Sequence, residues 1–249
     1  SNRAGALVAQ AAAPTVKRVT QELGGKSPNL LLPDADFAKA VPLGVMSAFR
    51  NVGQSCSAPT RMIVPRDRLA EVESLAAATA NAIIVGDPQS EDTVLGPIAN
   101  EAQFKRVQVM IEAGLNEGAK LVCGGVADGA VMPATILDHV TSDMQIYDQE
   151  TFGPITVVIR VKTTQQAIDV ANDSDYGLSS GVFGRDVNRA LAVAMEMDYG
   201  SVHVNGATVQ NEAQAPYGGT KNSGYGRFDG RAVVDEFTEL KWVTIEPHQ

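Results

Sequence analysis

Short β-branched and apolar runs alternate along the chain with stretches whose apolar positions recur every three to four residues. The runs Asn29 to Leu32, Arg61 to Val64, Leu121 to Cys123, Ile155 to Val161, Gly181 to Phe183 and Ser201 to Val204 predict strands, as do Val16 to Gln21 and Leu240 to Ile245. Ile155 to Val161 is apolar almost throughout, as a strand buried on both faces should be. Helical spacing joins Phe37, Val41, Val45 and Phe49 behind a cap at Asp34 or Asp36, and Leu69, Val72, Leu75, Ala76 and Ile83. It also joins Phe104, Val107, Ile111 and Leu115 behind Asn100, a stretch from Thr163 or Thr164 to Asn172, and Leu191, Ala194 and Met197 behind Asp186. A further helix runs from a cap at Ser1 to about Ala13, with Pro14 beyond its end, and a short one lies near Val233. Pro42 falls inside the second helical period. An interior proline costs roughly 3 kcal/mol, so a kink there, or confinement of the helix to one side, is expected. Strand–helix alternation predicts an α/β fold with a largely parallel sheet flanked by helices.

Composition narrows the function classes. The 249 residues are 44% hydrophobic and 20% charged, ordinary values for a globular chain. Twenty Lys and Arg against 29 Asp and Glu leave a net charge of −9, a poor field for nucleic acid or an anionic membrane. No apolar run approaches the ~20 residues of a membrane span. Two cysteines, Cys56 and Cys123, make no disulfide framework and point to a reducing, cytoplasmic setting. His139, His203 and His248 lie far apart and show no metal-ligand spacing, so no metal site is expected. The opening on a capped helix at Ser1 reads as a piece of a longer chain, and no signal peptide is visible.

Three patches carry candidate chemistry: Glu22-Leu-Gly-Gly-Lys-Ser-Pro28, Gly53-Gln-Ser-Cys56 and Glu150-Thr-Phe-Gly-Pro154. A cysteine just after a glycine turn can be held exposed and constrained. Facing backbone N–H groups, it would have a lowered pKa and act as a nucleophile; otherwise it is a small buried hydrophobe. Cys123, beside Leu121 and Val122, reads as the latter. Glu22 stands at a strand end beside Gly24-Gly25 and is either a surface carboxylate or, in a cleft, a general base of raised pKa. Two look-alikes fail. Gly25-Lys26-Ser27 lacks the P-loop glycine five positions earlier, where Thr20 stands. Gly177-Leu-Ser179-Ser-Gly181 has a turn before it and a strand after it, the inverse of a nucleophile elbow.

Together with Ser1-Asn-Arg-Ala-Gly5, Ala171-Asn-Asp-Ser-Asp-Tyr-Gly-Leu178 and Pro216-Tyr-Gly-Gly-Thr-Lys-Asn-Ser-Gly224, the patches resemble, in order and spacing, the motifs of the aldehyde dehydrogenase superfamily. The resemblance covers nearly the whole chain. It implies oxidation of an aldehyde to a carboxylic acid, with hydride passed to NAD or NADP. In that scheme Cys56 attacks the aldehyde to give a thiohemiacetal and then a thioester, and Glu22 activates the hydrolytic water. The Cys56 N–H and an Asn from another segment would hold the oxyanion. Glu150 would bind the ribose beside the nicotinamide and Phe152 would pack next to that ring. Leu23 would offer its backbone to the carboxamide, and Ser1 would serve the pyrophosphate. Ser55, Ser57 and Tyr217 would line the aldehyde tunnel. The implied domains are residues 1–24 as a remnant of the cofactor domain, 25–222 as the catalytic domain, and 223–249 as a C-terminal segment. The strand Leu240 to Ile245 would pair across a subunit interface of a homodimer or homotetramer. By the same resemblance, most of the Rossmann-like cofactor domain would lie outside these residues. Gln21, where the family usually has an apolar residue, bears on the pocket around Glu22; Pro42 and Tyr217, in place of Phe, bear on packing and substrate fit. Two other readings compete: a cofactor-independent thiol esterase, which needs only Cys56 and Glu22, and a non-catalytic, oligomer-forming scaffold.

Overall fold

The computed structural model describes residues 1–127, 129 and 131–247. His248 lies outside them. The chain opens with α1 (Asn2–Ala12), where Ser1 Oγ accepts the Ala4 N–H at 3.5 Å, and continues through β1 (Gln21–Glu22) to β2 (Pro28–Leu31). Next come α2 (Phe37–Phe49), β3 (Arg61–Pro65), α3 (Leu69–Asn81) and α4 (Glu101–Asn116). Then follow β4 (Lys120–Cys123), β5 (Thr135–Asp138), α5 (Gln145–Asp148), β6 (Ile155–Val161) and α6 (Thr164–Asn172). The chain closes with β7 (Tyr176–Gly177), β8 (Ser179–Phe183), α7 (Val187–Met195), β9 (Ser201–Val204), β10 (Thr220–Lys221), β11 (Gly224–Tyr225) and α8 (Ala232–Phe237).

Seven strands form the central sheet in the order β4-β5-β6-β3-β2-β8-β9. Every neighbouring pair is parallel except β4 with β5. Helices on the faces bury the middle strands: all of β2, β3 and β8 is buried, and β6 exposes only Arg160. Leu30, Ile63 and Val157 are fully buried at its centre; a side chain of this size stabilises the fold by roughly 1.5–3 kcal/mol. Amid this apolar layer Arg61 is also fully buried. Its five donors are all used: Nε on Lys26 O, Nη1 on Val170 O and Asp173 O, Nη2 on Ala171 O and the Tyr199 hydroxyl. The charge thereby closes the C-terminus of α6 and anchors the segment entering β2 at no cost in unpaired donors.

The structure departs from the sequence pattern in several places. Val16 to Gln21 is not a strand: Val16 is left-handed (φ 53°) and 90% exposed, and only Gln21–Glu22 pairs, with Gly224–Tyr225. Leu240 to Ile245 forms no ladder either. Leu240 and Trp242 stand almost fully exposed, since β-propensity needs a neighbouring strand and no edge of this chain receives them. Helix α2 runs through Pro42 to Phe49 rather than stopping on one side of it; Asp36 stands at its N-cap position, without a side-chain cap hydrogen bond. Asp34 Oδ2 instead accepts the Asp186 N–H at 3.0 Å. Helix α3 ends at Asn81, before Ile83. The pattern also missed β5.

Candidate active site

In a parallel sheet the segments that enter adjacent strands arrive at one edge. Glu22 lies on the segment entering β2, Cys56 on that entering β3 and Glu150 on that entering β6. These strands are neighbours, so three motifs far apart in sequence meet at the amino ends of the sheet. Open α/β sheets more often place their ligands at the carboxyl ends.

Glycines let the three segments touch. A Cβ on Gly25 would lie 2.3 Å from the Cys56 carbonyl oxygen, and one on Gly53 would lie 2.0 Å from the Gly153 oxygen, with Gly53 at φ 69°. Both distances are below any van der Waals contact, so any larger residue would force the backbones apart.

The Cys56 Sγ is 3.6 Å from Glu22 Oε2 and 3.8 Å from the Tyr217 hydroxyl. Cys56 is half-buried and Glu22 is open to solvent, so a path from solvent to the sulfur remains. Desolvation and then the negative charge of Glu22 push the thiol up to about 11. This reverses the depression expected for a cysteine facing N–H groups: the nearest polar neighbours of the sulfur are a carboxylate and a phenol. Burial raises the Glu22 carboxyl; the thiol hydrogen bond opposes that rise and the charge of Glu150 adds to it. Tyr217 is raised by desolvation and then by Cys56 and the charge of Glu22. The Cys56 backbone N–H has no partner among the described residues.

The other expected residues fall around this pair. Ser55 Oγ and Ser57 Oγ are 3.4 Å apart; Ser57 is buried and its carbonyl accepts the Thr208 hydroxyl at 2.7 Å. The Leu23 N–H is already used, donating to Ser223 O at 3.0 Å, which leaves its carbonyl free to act. Gln21 is accounted for, since its Nε2 donates to Gly5 O at 2.7 Å and ties α1 to this segment. Ser1 is exposed at the start of α1. Glu150 Oε1 accepts the Gly25 N–H at 3.1 Å, and burial raises its carboxyl. Phe152 is half-buried in a left-handed conformation (φ 49°). Away from this edge, Cys123 is buried in β4, and Ser179, the centre of the elbow-like pattern, is fully buried with its hydroxyl on Thr208 O. No group of three or more His, Cys, Asp or Glu is placed to hold a metal among the described residues.

Sequence reading passed over several residues that shape the site. Ser223 Oγ donates to Gly24 O at 2.7 Å and receives the Gly177 N–H, joining the Gly-rich loop to the Glu22 segment. Lys26 is fully buried with Nζ on Gln149 O at 2.6 Å. Gln103 and Arg106 of α4 donate to the loop around Glu150. A lysine followed by Ser-Pro and the apolar β2 offered a signal for Lys26; the polar face of α4 offered none for the others.

Known proteins are similar to this chain in sequence and fold. The family model described as "Aldehyde dehydrogenase family" matches residues 1–243. A salicylaldehyde dehydrogenase of Pseudomonas sp. (strain C18) is 56% identical over 250 residues, covering 100% of this chain and 52% of its own. A vanillin dehydrogenase of Pseudomonas sp. (strain HR199) is 42% identical over 246 residues, 99% of this chain and 51% of its own. Among solved structures, a salicylaldehyde dehydrogenase from Pseudomonas putida G7 complexed with salicylaldehyde superposes with a TM-score of 0.97 at 57% identity, over 100% of this chain and 52% of that one. A mutant of aldehyde dehydrogenase C from Pseudomonas syringae, complexed with NAD+ and octanal, gives 0.93 at 60% identity, over 96% and 50%. The chain spans about half the length of the curated relatives it matches. Likeness over nearly every residue of the chain, at this level of identity, leads to one assignment: the chain belongs to the aldehyde dehydrogenase family.

Proposed function

We propose that the whole protein carrying this chain oxidises an aldehyde to a carboxylic acid with NAD, through a covalent thioester on Cys56. The observation that carries this reading is the 3.6 Å approach of Cys56 Sγ to Glu22 Oε2, with Glu22 exposed to solvent. The thiol gives its proton to the Glu22 carboxylate as Sγ bonds to the carbonyl carbon, forming a thiohemiacetal. The free Cys56 N–H is one donor for the oxyanion. Glu22 passes the thiol's proton to solvent; after oxidation to the thioester its carboxylate takes a proton from the attacking water and returns it to the sulfur as the C–S bond breaks, regenerating the thiol and releasing the acid. A raised carboxyl pKa suits both transfers near neutral pH.

The chain's residues fit a nicotinamide dinucleotide. Glu150 is a half-buried carboxylate with one oxygen on Gly25 N–H and no ion pair among the described residues, a donor-poor setting suited to accepting two ribose hydroxyls. A Cβ on Gly24 would lie 2.4 Å from Glu150 Oε2, so that carboxylate sits directly on the backbone of the Glu22 segment. When bound, NAD would supply the two-electron acceptor. Phe152 would pack beside the nicotinamide, the Leu23 carbonyl would meet its carboxamide, and Ser1 would sit near the pyrophosphate. The NAD+ complexes among the similar structures favour NAD over NADP.

Ser55, Ser57 and Tyr217 are proposed to line the aldehyde path. The relatives that act on salicylaldehyde and vanillin make an aromatic aldehyde the first substrate to test. The partition at residues 24 and 222 is supported by the central sheet, which lies wholly between Pro28 and Val204. The exposed apolar row of Leu240, Trp242 and Ile245 supports a homodimer or homotetramer joined there. The test is reduction of NAD by salicylaldehyde with the whole protein, followed at 340 nm. NADH production is expected; its absence with salicylaldehyde, vanillin and octanal alike would overturn the reading.

A further inference from the structure

Four successive carbonyls of one loop are each held by a side chain from elsewhere in the fold. Lys26 Nζ donates to Gln149 O at 2.6 Å and Arg106 Nη2 to Glu150 O at 2.9 Å. Gln103 Nε2 donates to Thr151 O at 3.1 Å and to Phe152 O at 2.8 Å. A loop normally leaves such carbonyls to water. This one also carries a residue, Phe152, whose left-handed backbone persists only where its surroundings over-determine it. Lys26 is the costliest of the holders, because a lysine with no exposed surface has given up its hydration for a single carbonyl and the nearby charge of Glu150. It belongs to the segment that carries Glu22, and its neighbour Gly25 grips the Glu150 carboxylate through its N–H. The Glu22 segment therefore holds the Glu150 loop at two points, and α4 holds it at three carbonyls.

We propose that Lys26 and Gln103 are positioning residues that fix where Glu150 and Phe152 stand relative to Cys56 and Glu22. The inference rests on the cofactor reading above in assigning the loop to NAD. The clamp itself rests only on the hydrogen bonds. Lys26→Met keeps most of the buried stem and removes the ammonium; Gln103→Leu removes the amide from a half-buried position on α4.

The measurements are hydrogen exchange of the peptide spanning residues 149–154 in the nucleotide-free whole protein, the Kd for NAD, and KM for NAD and for the aldehyde separately. In both variants the peptide is expected to exchange at least about tenfold faster. The Kd and KM for NAD should rise about tenfold, while KM for the aldehyde stays within about twofold. A merely structural loss would reduce the amount of active enzyme and move neither KM. Should Lys26→Met fail to fold, Gln103→Leu decides. Unchanged loop exchange in that variant overturns the clamp, and faster exchange with NAD affinity within about twofold of the parent overturns its role in positioning. A parent protein that does not bind NAD at all would defeat the cofactor reading instead, and exchange would still decide whether these side chains hold the loop.

Discussion

The two cysteines make an instructive pair. Both are desolvated and in both the thiol is raised, so neither burial nor a shifted pKa separates them. Their company does. Cys123 lies in β4 with one long contact, Sγ to Ala134 O at 3.9 Å, and no titratable neighbour within hydrogen-bond reach among the described residues. Cys56 stands at the amino edge of the sheet with a carboxylate at 3.6 Å and a phenol at 3.8 Å. A raised thiol is inert when nothing nearby can take its proton, and usable when a carboxylate can.

The comparison can be broken most sharply by removing each sulfur in turn. Cys56→Ala should cut aldehyde oxidation by the whole protein by on the order of 10³-fold or more, while Cys123→Ala keeps kcat within about twofold. Equal losses would erase the distinction. Next in size is Glu22→Gln. Steady-state turnover should fall by roughly 10²- to 10⁴-fold, the range for a lost general base, and stopped-flow should still find a burst of NADH if hydrolysis is the step most impaired.

A smaller effect sharpens the electrostatics. The folded protein keeps the Cys56 proton to about pH 11, against about 9 for an ordinary thiol. Iodoacetamide labelling of the nucleotide-free protein should therefore still be accelerating at pH 10, and Glu22→Gln should move its midpoint downward because a neighbouring negative charge is gone. The same shift gives a stability term that is full below pH 9 and drains as pH rises towards 11, since only the unfolded state has released the proton in that window. Thermal unfolding of Cys56→Ala should show a shallower decline there. The smallest expected change is the stability of Cys123→Ala, lowered by about 1 kcal/mol in urea titration through lost packing in a buried strand.

Much of the fold was legible because burial imprints short periods on the chain. The apolar run of β6 and the i, i+4 rows of α2 and α4 announce themselves within a dozen residues. Elements that depend on a distant partner were read less well. Most of Val16 to Gln21, all but its last residue, and Leu240 to Ile245 have the composition of strands but pair with no strand among the described residues, and β5 was missed. Within the site, Cys56, Glu22 and Glu150 could be named from their motifs. Lys26, Gln103 and Ser223 act through backbone carbonyls or N–H groups of remote segments; Lys26 stands out only by preceding Ser-Pro and an apolar strand, and no local pattern marks the other two.

By itself the sequence determined the strand–helix alternation, the order of the three motifs, and glycines where backbones must come close. Only the tertiary structure decided what those motifs would face. The order β6-β3-β2 brings their entry segments side by side, raises the thiol instead of lowering it, and clasps the Glu150 loop from two directions. The physical reason is one of range. Periodicity and turn chemistry act over a few residues, whereas charge, desolvation and hydrogen bonding act over a few ångströms, between groups that can lie 34 or 161 positions apart along the chain.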